Sequence, residues 1–263
     1  MIKCRDIAGA IESLCPVRLA CQWDNVGLLV GDGDKEIKKV LVTLDVDEAV
    51  VEEACTMGAD MIVSHHPLMF NPINRLTEDD PQQRALRRLC SSGICVYSAH
   101  TNMDCAKDGL NDYLATKLGF EKTDVLEITS DGAGFGRVAK ILGDKTLEEI
   151  IKLCEDALNL CDVRYVGELS RKISTVAINS GSGSDVLGEC IKRNIDLLIT
   201  GDVKYSVART AYENGVAVID AGHYGTEIIF TELMSQYLKD SVSGIEIFVS
   251  KANVPVLKTH CRS

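Results

Sequence analysis

Two adjacent histidines followed by a proline are the most reactive-looking feature of this 263-residue chain. The segment MIVSHHPLMF places His65 and His66 directly behind an apolar run that predicts a buried strand. A histidine pair is costly inside a core, but neighbouring imidazoles that point apart can each bind a different metal ion. Pro67 restricts the conformations of His66 and would hold the pair in place. On its own such a pair is more often incidental, so its meaning depends on other residues.

Two further histidines are each followed by a carboxylate at a helical interval. His100 precedes Asp104 in HTNMD, and His223 precedes Glu227 in HYGTE. Residues at i and i+4 share one helix face, so a helical turn at each segment would direct both side chains at one centre. A single pair of this kind is more often a surface ion pair.

All of these histidines follow predicted strands, and the carboxyl ends of parallel strands are where α/β proteins bind ligands. Their joint occurrence therefore favours a metal site over four coincidences. Histidine and carboxylate without cysteine suit a divalent ion such as zinc, iron, manganese or nickel.

Composition narrows the classes of partner. The formal net charge of -11 disfavours non-specific binding to nucleic acid or to an anionic membrane, which leaves small molecules as the expected partners. We find no signal peptide and no membrane-length apolar run, so the sequence predicts a cytoplasmic protein. The eleven cysteines are scattered without a close CxxC pair, which argues against a disulfide framework or a structural zinc site.

Helical and strand patterns alternate along the chain, which predicts an α/β fold. The apolar runs are short, β-branched and continuous, as expected for parallel strands covered on both faces. The same order of elements returns in the second half, so we predict two similar α/β domains from an internal duplication, although shared α/β architecture without common descent is an alternative. The polar and glycine-rich segment EITSDGAGFG sets the predicted domains at 1–127, with HHP and HTNMD, and 128–263, with TGDVKY and GHYGTE.

Five segments together carry a family resemblance: WDNVGLLVG, VSHHPLMF, SAHTNMD, TGDVKY and DAGHYGTE. In this order they resemble the Nif-three-like family, whose members are often labelled GTP cyclohydrolase type 2 homologues. The chain is similar to the short form, which lacks the inserted domain of longer members. The resemblance covers roughly residues 5 to 250.

The resemblance implies a dinuclear metal centre in the cleft between the two domains, and a toroidal homohexamer. Carried over by motif, five residues would bind the two divalent ions, with Glu227 bridging them: His65, His66, Asp104, His223 and Glu227. His100 matches a further motif position, which would lie beside the metals as a group that orients a ligand or donates to substrate.

Paired metal ions favour hydrolysis, because they activate water and polarise the bond under attack. We therefore expect a metal-dependent hydrolase that acts on a nucleotide or another phosphorylated small molecule; the GTP cyclohydrolase version rests on the family label alone. The alternative is a non-catalytic metal-binding assembly, such as a metallochaperone or a regulatory interaction protein.

A few other residues are weaker candidates for contacts with substrate or for hydrogen bonds near the metal site. Lys204 and Tyr205 follow a strand end in TGDVKYS and could contact phosphate or act as acid and base, or simply form a surface turn. Trp23 is expected to be a packing anchor, whereas Asp24 and Asn25 could hydrogen-bond near the site. The segment NSGSGSD (179 to 185) could cradle phosphate through backbone amides, but a flexible turn is the preferred interpretation.

Overall fold

The computed structural model describes residues 1–120, 124–130 and 132–260, and these form an α/β fold with two separate sheets. The first part of the chain contains α1 (Cys4–Leu14), β1 (Gly27–Val30), β2 (Lys39–Thr43), α2 (Glu48–Met57), β3 (Met61–Ser64), α3 (Pro81–Ser92), β4 (Cys95–Ser98), α4 (Thr101–Cys105) and α5 (Leu110–Lys117). The rest contains β5 (Asp124–Ser130), β6 (Ala133–Thr146), α6 (Leu147–Leu158), β7 (Arg164–Val166), β8 (Lys172–Ile178), α7 (Leu187–Lys192), β9 (Leu197–Thr200), α8 (Tyr205–Glu213), β10 (Ala217–Asp220), α9 (His223–Glu227), α10 (Phe230–Ser241) and β11 (Glu246–Val249).

The chain divides into two compact units. One comprises Met1–Met103 and Phe230–Val256, and the other is built mainly from Asp104–Ile229. The division differs from the predicted boundary at residue 127, which would fall inside β5. It also returns α10 and β11 to the first unit, because β11 pairs in parallel with β2.

The first sheet has the strand order β1-β4-β3-β2-β11. Its strands β2, β3, β4 and β11 are parallel, and β1 runs antiparallel to β4 at one edge. The middle strands β3 and β4 are buried throughout, as the continuous apolar runs predict. Helices α2 and α3 cover one face through a core of Leu41, Val50, Ile62 and Leu89.

Local sequence explains where these helices begin and end. The carboxylate of Asp47 accepts a hydrogen bond from the backbone N–H of Val50 and caps α2, and Asp80 caps α3 in the same way. Gly58 and Gly93 end the two helices in the left-handed conformation, which a residue without a Cβ adopts at low cost.

The second sheet has the strand order β5-β6-β8-β9-β10-β7. Strands β8, β9 and β10 are parallel, whereas β5, β6 and β7 pair antiparallel. The segment EITSDGAGFG, interpreted from sequence as an interdomain connection, instead contributes to β5 and β6. Gly134 is the reason that these strands approach closely, because a Cβ there would lie 1.9 Å from the backbone oxygen of Glu127.

Both sheets contain three sequential parallel strands with intervening helices, β2-β3-β4 and β8-β9-β10. This order is the common outcome of α/β connectivity, so the duplication stays a prediction. Within the described ranges, no helix has the length and apolar character that crossing a membrane requires.

Candidate functional site

Three histidines meet at the carboxyl edge of β3 and β4 in the first unit. These strands are parallel neighbours with Ser64 opposite Ser98, so the residues that follow them emerge side by side. The imidazole centroids of His65 and His66 are 5.1 Å apart, and those of His66 and His100 are 5.4 Å apart. Ligand atoms of all three side chains lie within 4.8 Å of one another, so this histidine trio could hold a metal ion.

Each imidazole of the trio is fixed through its Nδ1 atom. His65 Nδ1 lies 2.8 Å from the backbone oxygen of Ala99, which can only accept a hydrogen bond. His66 Nδ1 lies 2.7 Å from Oδ1 of Asp45, and His100 Nδ1 lies 3.0 Å from both carboxylate oxygens of Asp24. An imidazole that donates from Nδ1 presents the lone pair of Nε2, which is the arrangement typical of metal-binding histidines.

Asp24 is held by Thr101 as well as by His100. Its side chain also accepts a hydrogen bond from the backbone N–H of Thr101, at 3.0 Å. Burial raises the pKa of Asp24, but hydrogen bonds from His100 and Thr101 outweigh it and lower the pKa to about 2. Asp24 is therefore ionised at neutral pH and holds His100 as a hydrogen-bond donor.

A histidine and a carboxylate form the corresponding pair in the second unit. The turn HYGTE is the helix α9, so His223 and Glu227 share one face as their spacing predicts. His223 Nε2 lies 2.8 Å from Oε2 of Glu227, and its Nδ1 lies 2.7 Å from Oδ2 of Asp202. Glu227 is buried, whereas His223 is partly exposed. Together these two side chains supply a nitrogen and an oxygen donor that could bind an ion.

The glycine-rich segment NSGSGSD supports α9. Gly181 has φ of +59°, and a Cβ there would lie 1.9 Å from Oε1 of Glu227 and 3.3 Å from Nε2 of His223. Its backbone N–H donates to Thr226 Oγ1 at 2.9 Å, and its carbonyl accepts from the N–H of Gly201. This bracing is a role that the sequence did not suggest, and the phosphate cradle and the flexible turn stay predictions.

Asp104 lies in α4, as the HTNMD spacing predicts, and its side chain is buried. Its backbone oxygen accepts a hydrogen bond from Asn111 Nδ2 at 3.1 Å, and Oδ1 of the same asparagine accepts from the N–H of Ser180 at 2.9 Å. Asn111 therefore ties α4 to the glycine-rich segment. The ligand role of Asp104 stays a prediction.

Lys204 and Tyr205 begin α8, and the side chain of Tyr205 is 82 % exposed. Their catalytic roles stay predictions. Trp23 is not the buried anchor that the sequence suggested, because it is 64 % exposed. Asp24, by contrast, has the predicted hydrogen-bonding role.

Sequence reasoning missed two carboxylates that orient histidines, Asp45 and Asp202. Both follow a strand end, Asp45 after β2 and Asp202 after β9, so the positional signal that identified the histidines also applies to them. It also missed the need for glycine at 181, which only the folded distance to Glu227 reveals.

Comparison with known proteins agrees with the motifs. The family model for Duf34/NIF3 (NGG1p interacting factor 3) matches residues 2–255. A protein of Clostridium perfringens called GTP cyclohydrolase 1 type 2 homolog is 40% identical over 253 residues, which are 95% of this chain and 97% of that one. The NIF3 homolog of Schizosaccharomyces pombe is 31% identical and covers 95% of each chain.

The fold agrees as well. A crystal structure of a Bacillus cereus protein related to NIF3 superposes with a TM-score of 0.93 and covers 98% of this chain and 99% of that one, at 23% identity. The family model and the curated relatives span nearly the whole chain, as the resemblance of the five segments predicted. The chain therefore belongs to the Duf34/NIF3 family.

Proposed function

We propose that this protein binds two divalent metal ions and uses them to hydrolyse a nucleotide or another phosphorylated small molecule. One observation carries the proposal: each of the four histidines near a strand end engages its Nδ1 with a carbonyl or carboxylate oxygen, which prepares Nε2 as a ligand. The proposed ligands of the two ions are His65, His66, Asp104, His223 and Glu227. Glu227 is the proposed bridge between them, and zinc, iron, manganese and nickel all suit this donor set.

The protein side chains have separate tasks in this proposal. Asp45 and Asp202 hold His66 and His223 in one orientation and one tautomer, and ionised carboxylates increase the basicity of the ring nitrogen that binds metal. His100, fixed by Asp24, either orients a metal ligand by hydrogen bonding or donates to substrate. Two bound divalent ions would supply Lewis-acid polarisation and activation of water.

Fewer observations support the proposed substrate class than support the metal ligands. The name of the Clostridium perfringens relative supports ring opening of a purine nucleotide as one version of the reaction. Lys204 and Tyr205 are the proposed contacts for phosphate or the acid and base of the reaction. Fold and metal pair do not by themselves select a substrate, so a panel is needed to identify one.

A non-catalytic metal-binding assembly, such as a metallochaperone or a regulatory partner, is the second candidate. It would saturate its ions with protein ligands, whereas catalysis needs an open coordination position. Five side chains shared between two ions leave positions open, which favours the enzyme. The two candidates differ in turnover and agree in metal content.

The test combines metal content with turnover. The protein is purified without added metal, analysed for bound metals, and incubated with a panel of nucleotides with and without a chelator. Chelator-sensitive hydrolysis of any compound supports the enzyme. Bound metal without turnover on the whole panel supports the assembly, and failure to bind metal after reloading with zinc, iron or manganese refutes both.

The assembly state is a proposal of its own, based on the family resemblance. We propose a cytoplasmic homohexamer. Sedimentation velocity would give the mass of the particle, expected at six times the 28.6 kDa chain. A monomer at micromolar concentration would refute the hexamer and leave the metal proposal unaffected.

A further inference from the structure

Two large aromatic side chains in the first unit are exposed on the surface, so packing in the core does not explain their presence. Trp23 is 64 % exposed and Phe70 is 44 % exposed. Their rings lie close to parallel, with an interplanar angle of 24° and centroids 6.4 Å apart. A pair of large exposed aromatic rings in stacking geometry is a common feature of binding surfaces.

The aromatic pair adjoins the histidine trio. The centroid of His100 lies 6.1 Å from that of Trp23 and 5.4 Å from that of Phe70, edge-on in both cases. A ligand held on the aromatic rings would therefore reach the imidazole that Asp24 fixes. His100 is thus in contact with the candidate metal ligands on one side and with the aromatic pair on the other.

A cavity opens beside the rings. Its volume is about 310 Å³, at the lower end of the range for small-molecule sites, and Trp23, Asn25, Met69, Phe70 and Asn71 are among its lining residues. Asn25 donates a hydrogen bond from Nδ2 to the backbone oxygen of Met69 at 2.6 Å, which fixes the wall next to the tryptophan. Asn71 is exposed and adds an amide that can pair with the polar edge of a ring.

A larger cavity of about 580 Å³ does not compete for this role. It lies between α2 and β11, and Leu41, Glu52 and Phe248 are among its lining residues. None of the candidate metal ligands lines it. The smaller cavity is lined by the two aromatic rings, two amide side chains and Asp24, the carboxylate that fixes His100.

We propose that the Trp23 and Phe70 rings form a stacking site for a planar heteroaromatic ring, namely the base of a nucleotide substrate. The proposal rests on the proposed function for the reaction and names the part of the substrate that the protein recognises beside the metals. Stacking uses the face that all bases share, so the site tolerates purines and pyrimidines alike. Recognition of the ring itself then does not require phosphate.

The chain supplies its own probe, since Trp23 is its only tryptophan. The full-length protein, stripped of metal with a chelator, is titrated with GMP, AMP and UMP while tryptophan fluorescence is excited at the red edge of its band. All three should quench the emission saturably, and ribose 5-phosphate should not. No saturable quenching by any nucleotide, or equal quenching by ribose 5-phosphate, would overturn the proposal.

Substitutions assign the effect to the rings. Phe70→Ala should weaken GMP binding about tenfold or more, because one stacking partner is lost, and Phe70→Tyr should restore most of it. Tyr212→Ala is the matched control, since Tyr212 is also an exposed aromatic, 68 % exposed, but lies on α8, and it should leave binding unchanged. Equal affinity of Phe70→Ala and the native protein would contradict the proposal.

Two variants at Trp23 test whether the effect depends on the aromatic ring. Trp23→Phe keeps an aromatic ring and should retain GMP binding in equilibrium dialysis, whereas Trp23→Ala should lose about tenfold or more. Bound metal per chain should be the same in all these variants. Loss of nucleotide binding with unchanged metal would then separate the stacking site from the metal centre. Nucleotide binding by a native chain that takes up no metal after reloading with zinc, iron or manganese would sustain the site while refuting the proposed hydrolysis.

Discussion

Replacing Gly181 by alanine tests whether the glycine-rich segment positions the candidate metal ligands. An added Cβ would lie 1.9 Å from Oε1 and 2.8 Å from Cδ of Glu227. Ordinary non-bonded contacts are near 3.5 Å, so the carboxylate would have to retreat by on the order of 1.5 Å. Glu227 is buried among packed groups and has little room for such a move.

The expected loss of metal affinity follows from the displacement of the Glu227 carboxylate. Changes that misplace a metal ligand by disturbing its supporting groups typically cost about 10- to 100-fold in metal affinity. Gly181→Ala should reach at least this range, because it displaces a proposed ligand directly. The left-handed φ of +59° adds a folding cost of about 1 kcal/mol for any residue with a Cβ.

Gly215→Ala separates the two costs. Gly215 has φ of +70°, but a Cβ there would meet nothing within 4 Å. It should therefore lose about 1 kcal/mol in the free energy of unfolding and keep native zinc affinity. Zinc affinity is measured by titration against a chromogenic chelator, and stability by urea unfolding. If Gly181→Ala binds zinc as well as Gly215→Ala does, Gly181 does not position the carboxylate of Glu227 for metal.

Four other predictions concern groups around the site and polar contacts within the second unit. Asp202→Asn should weaken zinc binding about 10-fold, because the amide cannot hold His223 as a carboxylate does; unchanged affinity by the same titration would contradict that role. Lys204→Ala should spare the metal content and reduce any phosphate-dependent turnover found with the nucleotide panel; loss of metal would place it among the ligands. Arg137→Leu should lower the free energy of unfolding in urea by about 3 to 5 kcal/mol, because it leaves Asp112 without its bidentate partner, and a loss below 1 kcal/mol would show that the ion pair contributes little. Partial burial raises the pKa of Asp196, but two backbone N–H groups and a threonine hydroxyl outweigh it and lower the pKa below the usual 3.8. The stabilisation from this carboxylate is complete above the unfolded-state pKa and is lost as pH falls through the lower folded-state pKa. The free energy of unfolding of Asp196→Asn should therefore be about 1 kcal/mol lower than that of the native protein at pH 7. It should also fall less than that of the native protein on acidification.

Much of the fold follows from local sequence. Short β-branched runs predict β2, β3 and β4, and the glycines at 58 and 93 mark the ends of α2 and α3 because the left-handed C-cap favours glycine. The spacing in HYGTE predicts α9 and the shared face of His223 and Glu227. These features depend on periodicities of a few residues, which a single sequence displays directly.

The sequence could not predict which distant strands pair with one another. The predicted interdomain connection became β5 and β6 because glycine permits close strand approach as well as loops, and the sequence pattern does not distinguish these uses. Likewise, β11 joins β2 across more than half of the chain, so nothing local reveals that Glu246–Val249 belongs to the first sheet. The sequence pattern alone does not place a last strand that returns to the first sheet.

Part of the candidate site could be predicted from sequence, and part needed the three-dimensional structure. Residue type identified the four histidines, because imidazoles after several strands are uncommon without a role. The two carboxylates that fix His66 and His223, Asp45 and Asp202, each lie 21 residues from their histidine, and a carboxylate after a strand is common. The geometry of Nδ1 contacts was needed to select them.

Metal content per chain in the native protein and in Glu227→Ala tests the central claim most directly. Both proteins are stripped with a chelator, reloaded with zinc, freed of excess ion and measured by elemental analysis, with circular dichroism to verify folding. We predict about two ions per native chain and loss of both in the folded variant, since one bridging carboxylate would serve both ions. A native chain that binds none, or a variant with the full complement, would contradict it.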